Sequence, residues 1–150
     1  MGLARLPGLL ATHRKIALDT SVFIYQLQAN PRYVKLTDQV FEWLGRRNSS
    51  AVTSTITMTE LLVQPYREAN ERQSAVFYAL LSTYPNLVWI APDLEIADKA
   101  ARIRAAHRLR TPDALQAATA ASADASALLT NDPIFRRVPQ FETILLDDLL

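Results

Sequence analysis

Cysteine is missing from the 150 residues, which removes disulfides, thiolate metal sites and cysteine nucleophiles at once. Glycine is scarce, with three in the chain, and no Gly-rich phosphate loop or flexible linker can be assembled from them. No apolar run approaches the roughly 20 residues that cross a bilayer, so the chain does not read as a membrane protein. Charge of one sign is not in excess either. The net charge is +1, so nucleic acid binding would have to rest on a local patch rather than on an overall basic balance. The two histidines, His13 and His107, stand alone without a second histidine at ligand spacing. Ser21 lacks a Gly-x-Ser-x-Gly setting, which argues against a hydrolase triad. The start of the chain has one arginine and a short apolar patch, followed directly by His13, Arg14 and Lys15 with no small-residue cleavage site. It does not read as a signal peptide, and the expected location is the cytoplasm.

What remains is the size and hydrophobic content of one domain with one well-buried core. Residues 1–15 read as an N-terminal extension without an assigned role, and 16–150 as a single domain. Ile16-Ala17-Leu18 is a short apolar run ended by Asp19 and reads as a buried strand feeding a helix. Residues 34–44 carry Leu36, Val40 and Leu44 at helical spacing. Ala51 to Ile56 is β-branched and reads as a second strand, with a helix opening at Thr57 and limited by Pro65. Val76, Phe77, Leu80, Leu81 and Tyr84 fall on one face of a helix over 71–84, and 86–90 is a third strand. From Asp93 as N-cap, a helix to about Leu109 turns Leu94, Ala97, Ala101 and Ala105 inward. Thr111 and Pro112 start a further, alanine-rich helix. Strands at 127–130 and 143–146 complete the pattern. Alternation of this kind predicts an α/β fold, with a mainly parallel sheet covered on both faces.

In such a sheet ligands bind beyond the carboxyl ends of the strands. Asp19 follows the first strand and Asp132 the fourth, while Glu60 sits in the first turn of the helix after the second. Asp113 opens a helix that must travel back to the start of the fourth strand, so it too begins at the binding edge. Taken singly, each acid has a plainer reading. Glu60 completes a capping box with Thr57, Asp113 complements a helix dipole, and Asn131-Asp132-Pro133 is a turn signal. Asp19 is harder to explain away, since an acid in an apolar run is costly unless partnered. Together the four carboxylates would repel one another without cations. An all-oxygen set suits Mg²⁺ or Mn²⁺, one or two ions, better than Zn²⁺, and the chemistry such a site performs most naturally is phosphodiester hydrolysis. Ser21, Thr130 and Asn131 are short polar groups placed to orient ligands or water around the acids. The arginines, Arg110 among them, read as solvated faces or as a rim for a nucleic acid backbone. Tyr25 and Tyr66 read as core or rim packing, with base stacking as the alternative.

Four segments carry a resemblance: Ala17 to Tyr25 around Asp19, Ser54 to Leu62 around Glu60, Arg110 to Ala120 around Asp113, and Leu128 to Arg136 around Asp132. Their order and spacing resemble the PIN-domain nucleases, especially VapC-like toxins of toxin-antitoxin pairs, over roughly 16–148. The resemblance implies an α/β/α sandwich with five strands in the order 3-2-1-4-5, Mg²⁺- or Mn²⁺-dependent cleavage of single-stranded RNA, and a homodimer. It also implies that Asp19, Glu60, Asp113 and Asp132 are the acidic site residues, with Ser21 and Thr130 the polar ones. The expected restraint on such an enzyme is a cognate antitoxin whose arginine enters the acidic pocket. Two other classes compete. A non-catalytic relative of the same fold would bind RNA or act as a scaffold, and an aspartyl phosphatase would use Asp19 as nucleophile, although Ser21 replaces the second acid it needs.

Overall fold

Five short strands occupy the centre of the molecule, and the three innermost are buried at every position: β1 (Ile16–Leu18), β2 (Ala51–Ser54) and β4 (Ala127–Thr130). Strands covered on both faces need apolar side chains on both, so they read as continuous hydrophobic runs rather than alternating ones. β3 (Leu87–Ile90) and β5 (Glu142–Leu145) form the edges. All pairings are parallel, in the order β3-β2-β1-β4-β5. The computed structural model describes residues 2–150. Its helices are α1 (Gly2–Ala11), α2 (Thr20–Leu27), α3 (Val34–Leu44), α4 (Thr55–Arg67), α5 (Glu71–Ser82), α6 (Leu94–His107) and α7 (Thr111–Ser122), with 3-10 turns at Pro133–Arg137 and Leu146–Leu149. No described helix is long and apolar enough to cross a membrane.

The period of two along each strand splits the core in two. Ile16, Leu18, Ala51, Ala127, Leu129 and Ile144 face one side, where they meet Val22 and Phe23 of α2 and the Leu36, Val40, Phe41 and Leu44 stripe of α3. Ala17, Val52 and Leu128 face the other side, against Ala114, Ala117 and Ala118 of α7. Alanine keeps α7 close to the sheet, and α6 packs on α7 from outside. With few glycines available, left-handed backbone falls to other residues: Ala29, Asn48, Ala69, Asn86, Arg108 and Asp124 all have positive φ.

Several local expectations change. On α6 the buried stripe is Ile96, Ala100 and Ile103, while Leu94 is 90% exposed and Ala97, Ala101 and Ala105 face solvent. Two isoleucines bury more apolar surface than the alanine stripe, and they set the helix rotation. On α5 only Ser74 and Leu81 are buried, and Val76 and Leu80 are exposed, because this helix packs mainly on α4. Pro65 does not end α4. It lies in the last turn, where the proline leaves the Leu61 carbonyl without its helical amide donor, and the helix stops two residues later. The cap of α7 is Arg110, one residue before the expected Thr111.

The extension before β1 has its own place. Leu6 and Leu10 of α1 are fully buried in the first core, and α1 packs against α3 and the Leu146–Leu149 turn. The segment after it is tied to the entry edge of the sheet. His13 Nδ1 lies 2.6 Å from Ser126 Oγ, its Nε2 lies 3.2 Å from Glu142 Oε2, and Lys15 Nζ donates to the Ala123 carbonyl at 2.9 Å. A helix buried in this way should matter to stability. Leu10→Ala is expected to lower the unfolding free energy by about 2–5 kcal/mol, as for other buried leucines. Urea denaturation measures it, and a loss under about 0.5 kcal/mol, typical of surface positions, would show that α1 is dispensable to the core.

Candidate active site

Parallel pairing brings the carboxyl ends of β1, β2 and β4 to one edge, and the candidate acids hang from the segments that leave it. Asp19 caps α2 directly after β1. α4 begins at once after β2, with Ser54 Oγ accepting from the Ile56 amide at 3.2 Å. Glu60 therefore lies in the second turn of α4 rather than the first, and Ser54 is the cap in place of Thr57. Asp113 stands in the first turn of α7. Asp132 caps the 3-10 turn after β4, its Oδ1 accepting from the Ile134 amide at 3.0 Å.

The acids sense one another. Burial pushes the Asp19 carboxyl up to about 6, against the Thr130 hydroxyl, which donates to its Oδ2 at 2.7 Å. The charges of Asp113 and Glu60 push it in the same direction. Asp113 is also raised, first by burial, then held back by Arg110 and raised again by Asp132. Arg110 Nε lies 3.4 Å from Asp113 Oδ2, and among the described residues it is the one cation paired with a candidate acid. No second protein donor among those residues reaches the other oxygen of Glu60, Asp113 or Asp132. Also among the described residues, no three acid or histidine side chains stand at ligating separation. Charge coupling links Asp19 to Asp113 and Glu60, and Asp113 to Asp132.

What holds them is a buried polar chain that the sequence reading did not include. Gln116 Nε2 donates to Thr57 Oγ1 at 2.6 Å, Thr57 and Thr53 hydroxyls meet at 2.8 Å, and Thr53 donates to the Leu18 carbonyl at 2.9 Å. Since each hydroxyl has one proton, the chain runs one way: Gln116 to Thr57 to Thr53 to Leu18. Thr20 Oγ1, 3.5 Å from Gln116 Nε2, donates to Glu60 Oε1 at 2.9 Å. Glu60 is thus tied to the residue beside Asp19, not to a capping box with Thr57. One signal was available. Gln116 is a polar residue on the alanine face of α7, three positions after Asp113.

The other polar candidates diverge. Thr130 contacts Asp19 and also accepts from the Asp132 amide at 3.1 Å, so it links two of the acids. Ser21 Oγ is buried with no hydrogen-bond partner among the described residues. Asn131 bonds other groups than the acids: its Nδ2 donates to Tyr25 Oη at 3.1 Å and its Oδ1 accepts from the Asp147 amide at 3.0 Å.

A family profile described as PIN domain matches residues 16–140. No curated protein matches the chain. Among solved structures, VapBC2 from Rickettsia felis bound to a DNA fragment from their promoter is 19% identical, with TM-score 0.70 over 87% of this chain and 98% of that one. DNA-bound VapBC from Salmonella typhimurium is 24% identical, with TM-score 0.67 over 88% and 98%. VapBC-5 from Mycobacterium tuberculosis, a member of the VapBC family of toxin-antitoxin systems, is 26% identical, with TM-score 0.56 over 87% and 98%. These likenesses are ones of fold.

The raised Asp19 gives a signed stability prediction. Unfolded, the carboxyl releases its proton near 3.8; folded, near 6. Between those values the native state holds more protons, so stability falls as pH rises through the window. Asp19→Asn removes this dependence. In chelator-treated protein the variant should gain on the order of 2–3 kcal/mol over wild type between pH 4 and pH 7. Parallel pH dependence of the two unfolding free energies would remove Asp19 from the strained set.

Proposed function

The chain belongs to the PIN-domain family, and on that premise we propose that it is a divalent-metal-dependent endoribonuclease, the toxin of a toxin-antitoxin pair acting in the cytoplasm. One observation carries the reading: Asp19, Glu60, Asp113 and Asp132 leave a single sheet edge, and two of them are raised in part by the charges of the others. A purely structural set of acids would be paired with bases, and among the described residues only Arg110 plays that part.

The donors fit Mg²⁺ or Mn²⁺. All are carboxylates, the open oxygens are the hard ligands these ions prefer, and the partnerless hydroxyl of Ser21 lies two residues from Asp19. A buried hydroxyl without a partner costs about 1–3 kcal/mol, a penalty that water carried into the site would relieve. One or two ions held there would polarise a phosphoryl oxygen and lower the pKa of water. The chain's own groups do the rest. Asp19 and Asp132 are kept in register by Thr130, and Glu60 is kept by Thr20. Arg110, exposed and held to Asp113 by a single contact at 3.4 Å, is free to leave that acid for an incoming phosphate, which its planar fork can meet with two hydrogen bonds. RNA is the expected substrate.

The separation of the acids favours one second reading, a non-catalytic relative that binds RNA or scaffolds other proteins. Turnover separates the two. Purified protein should cut RNA at exposed loops with Mg²⁺ or Mn²⁺ and stop on chelation. Asp113→Asn, which removes a ligand charge but little volume, should lower the rate at least about 100-fold while remaining folded, in the range seen when a transition-state-stabilising group is lost. Undiminished cleavage after chelation, in a preparation free of contaminating nuclease, would sink the metal mechanism.

The partner surface has a physical candidate. Exposed Val63, Tyr66 and Tyr78 of α4 and α5, with half-buried Met58, Leu62 and Trp89, form an apolar face that includes a groove of about 480 Å³. Faces of this kind mark interaction sites. In this proposal an antitoxin segment folds onto that face while one of its arginines reaches the acids, and a second copy of the chain completes a homodimer. Co-expression with the neighbouring short open reading frame should yield an inactive complex. Leu62→Asp or Tyr66→Asp should release the partner and leave cleavage by the free enzyme intact, whereas a complex indifferent to both would place the interface elsewhere.

A further inference from the structure

Bonded to Asn131 after β4 and to Asp147 after β5 lies an aromatic assembly that the proposed chemistry does not use. The rings of Tyr25 on α2 and Tyr33 before α3 are stacked, with centroids 4.2 Å apart and planes 15° from parallel. The Arg32 guanidinium stands over the Tyr33 ring, 5.6 Å from its centroid. Both phenols are anchored. Tyr25 Oη accepts from Asn131 Nδ2 at 3.1 Å, and Tyr33 Oη donates to Asp147 Oδ1 at 2.6 Å. The Asp147 amide in turn donates to Asn131 Oδ1 at 3.0 Å. The loop that carries Arg32 is equally constrained: Asn30 Oδ1 accepts from the Arg32 amide at 2.9 Å, and its carbonyl accepts from the Tyr33 and Val34 amides.

We propose that Tyr33 and Arg32, backed by Tyr25, form a stacking subsite for one unpaired nucleobase next to the scissile phosphate. The inference rests on the endoribonuclease reading and names where its substrate is gripped. Three features support it. The assembly is fixed to Asn131, the residue before Asp132, and so sits at the end of β4 from which that acid leaves. Both tyrosines are half-buried rather than enclosed. Arg32 is 66% exposed and only 3.8 Å from Asp147, a loose pair in water that leaves the guanidinium able to stack on a base or meet a phosphate. Aromatic faces accept any base, and rings already locked by hydrogen bonds lose little entropy on binding.

The test uses the full chain carrying Asp113→Asn, in chelator, with a fluorescent unstructured RNA oligonucleotide containing 2-aminopurine. Binding should quench the probe. Tyr33→Leu, which keeps apolar volume but removes the π face, and Arg32→Ala, at an exposed position, should each weaken binding about fivefold or more, while Tyr33→Phe stays near the parent. An oligonucleotide with a single abasic site at each position in turn should show one position where wild type loses as much as Tyr33→Leu does. Unchanged affinity in both Tyr33→Leu and Arg32→Ala, or indifference to every abasic position, overturns the subsite. So does loss of the copurifying protein partner in these variants with RNA binding intact, which would make the assembly a protein contact. Failure of the enzyme reading is separable: base-dependent binding without any metal-dependent cleavage keeps the subsite and removes the nuclease.

Discussion

Strand β1 is three residues long, and the positions of all four acids depend on its being paired in parallel on both sides. Its register with β2 and β4 aligns Ile16 with Ala51 and Ala127, so the three strands end together and the segments leaving them start from one line. A short strand supplies few ladder bonds of its own. Its place is secured by full burial between two apolar layers and by the Thr53 hydroxyl on the Leu18 carbonyl. The last of these belongs to the polar chain that reaches Gln116 on α7, so the same bonds that hold β1 also place the helix bearing Asp113. Fold and site are joined through one set of buried donors and acceptors, where a single missing partner leaves an unsatisfied group at low dielectric.

Around that frame the acids are in tension. The fold gathers like charges where burial already disfavours ionisation, and Asp19 shows the result in its raised pKa. The surroundings offset part of the strain with neutral donors, Thr130 on Asp19 and Thr20 on Glu60, and with a cation, Arg110 on Asp113. Neutral donors orient a carboxylate without cancelling its charge. The pocket therefore keeps a demand for positive charge that its paired groups do not meet, and the proposed metal and antitoxin arginine each answer that demand in a different way.

Much of the architecture was legible along the chain because it rests on local rules. Continuous apolar runs of four or so residues, bounded by caps and turns, identify buried parallel strands. The strand-end acids stand out because an acid next to an apolar run has few structural uses. Errors arose where two local patterns competed. Thr57 and Glu60 satisfy a capping box on paper, yet Ser54 caps the helix and Thr57 turns inward to Gln116. On α6 the alanine stripe and the isoleucine stripe are both helical in period, and only the packing partner α7 chooses between them.

Sequence alone determined the types of the main elements from β1 onward and the parallel class of the sheet, and it singled out the four acids as candidates, since these follow from periodicity, capping and the cost of charge beside apolar residues. Tertiary structure decided which hydroxyls serve those acids, where Asn131 points, and that α1 belongs to the core. Thr20, Thr53, Thr57 and Gln116 are spread over nearly 100 positions and meet only when four elements pack, and no local rule carries information about a partner that distant.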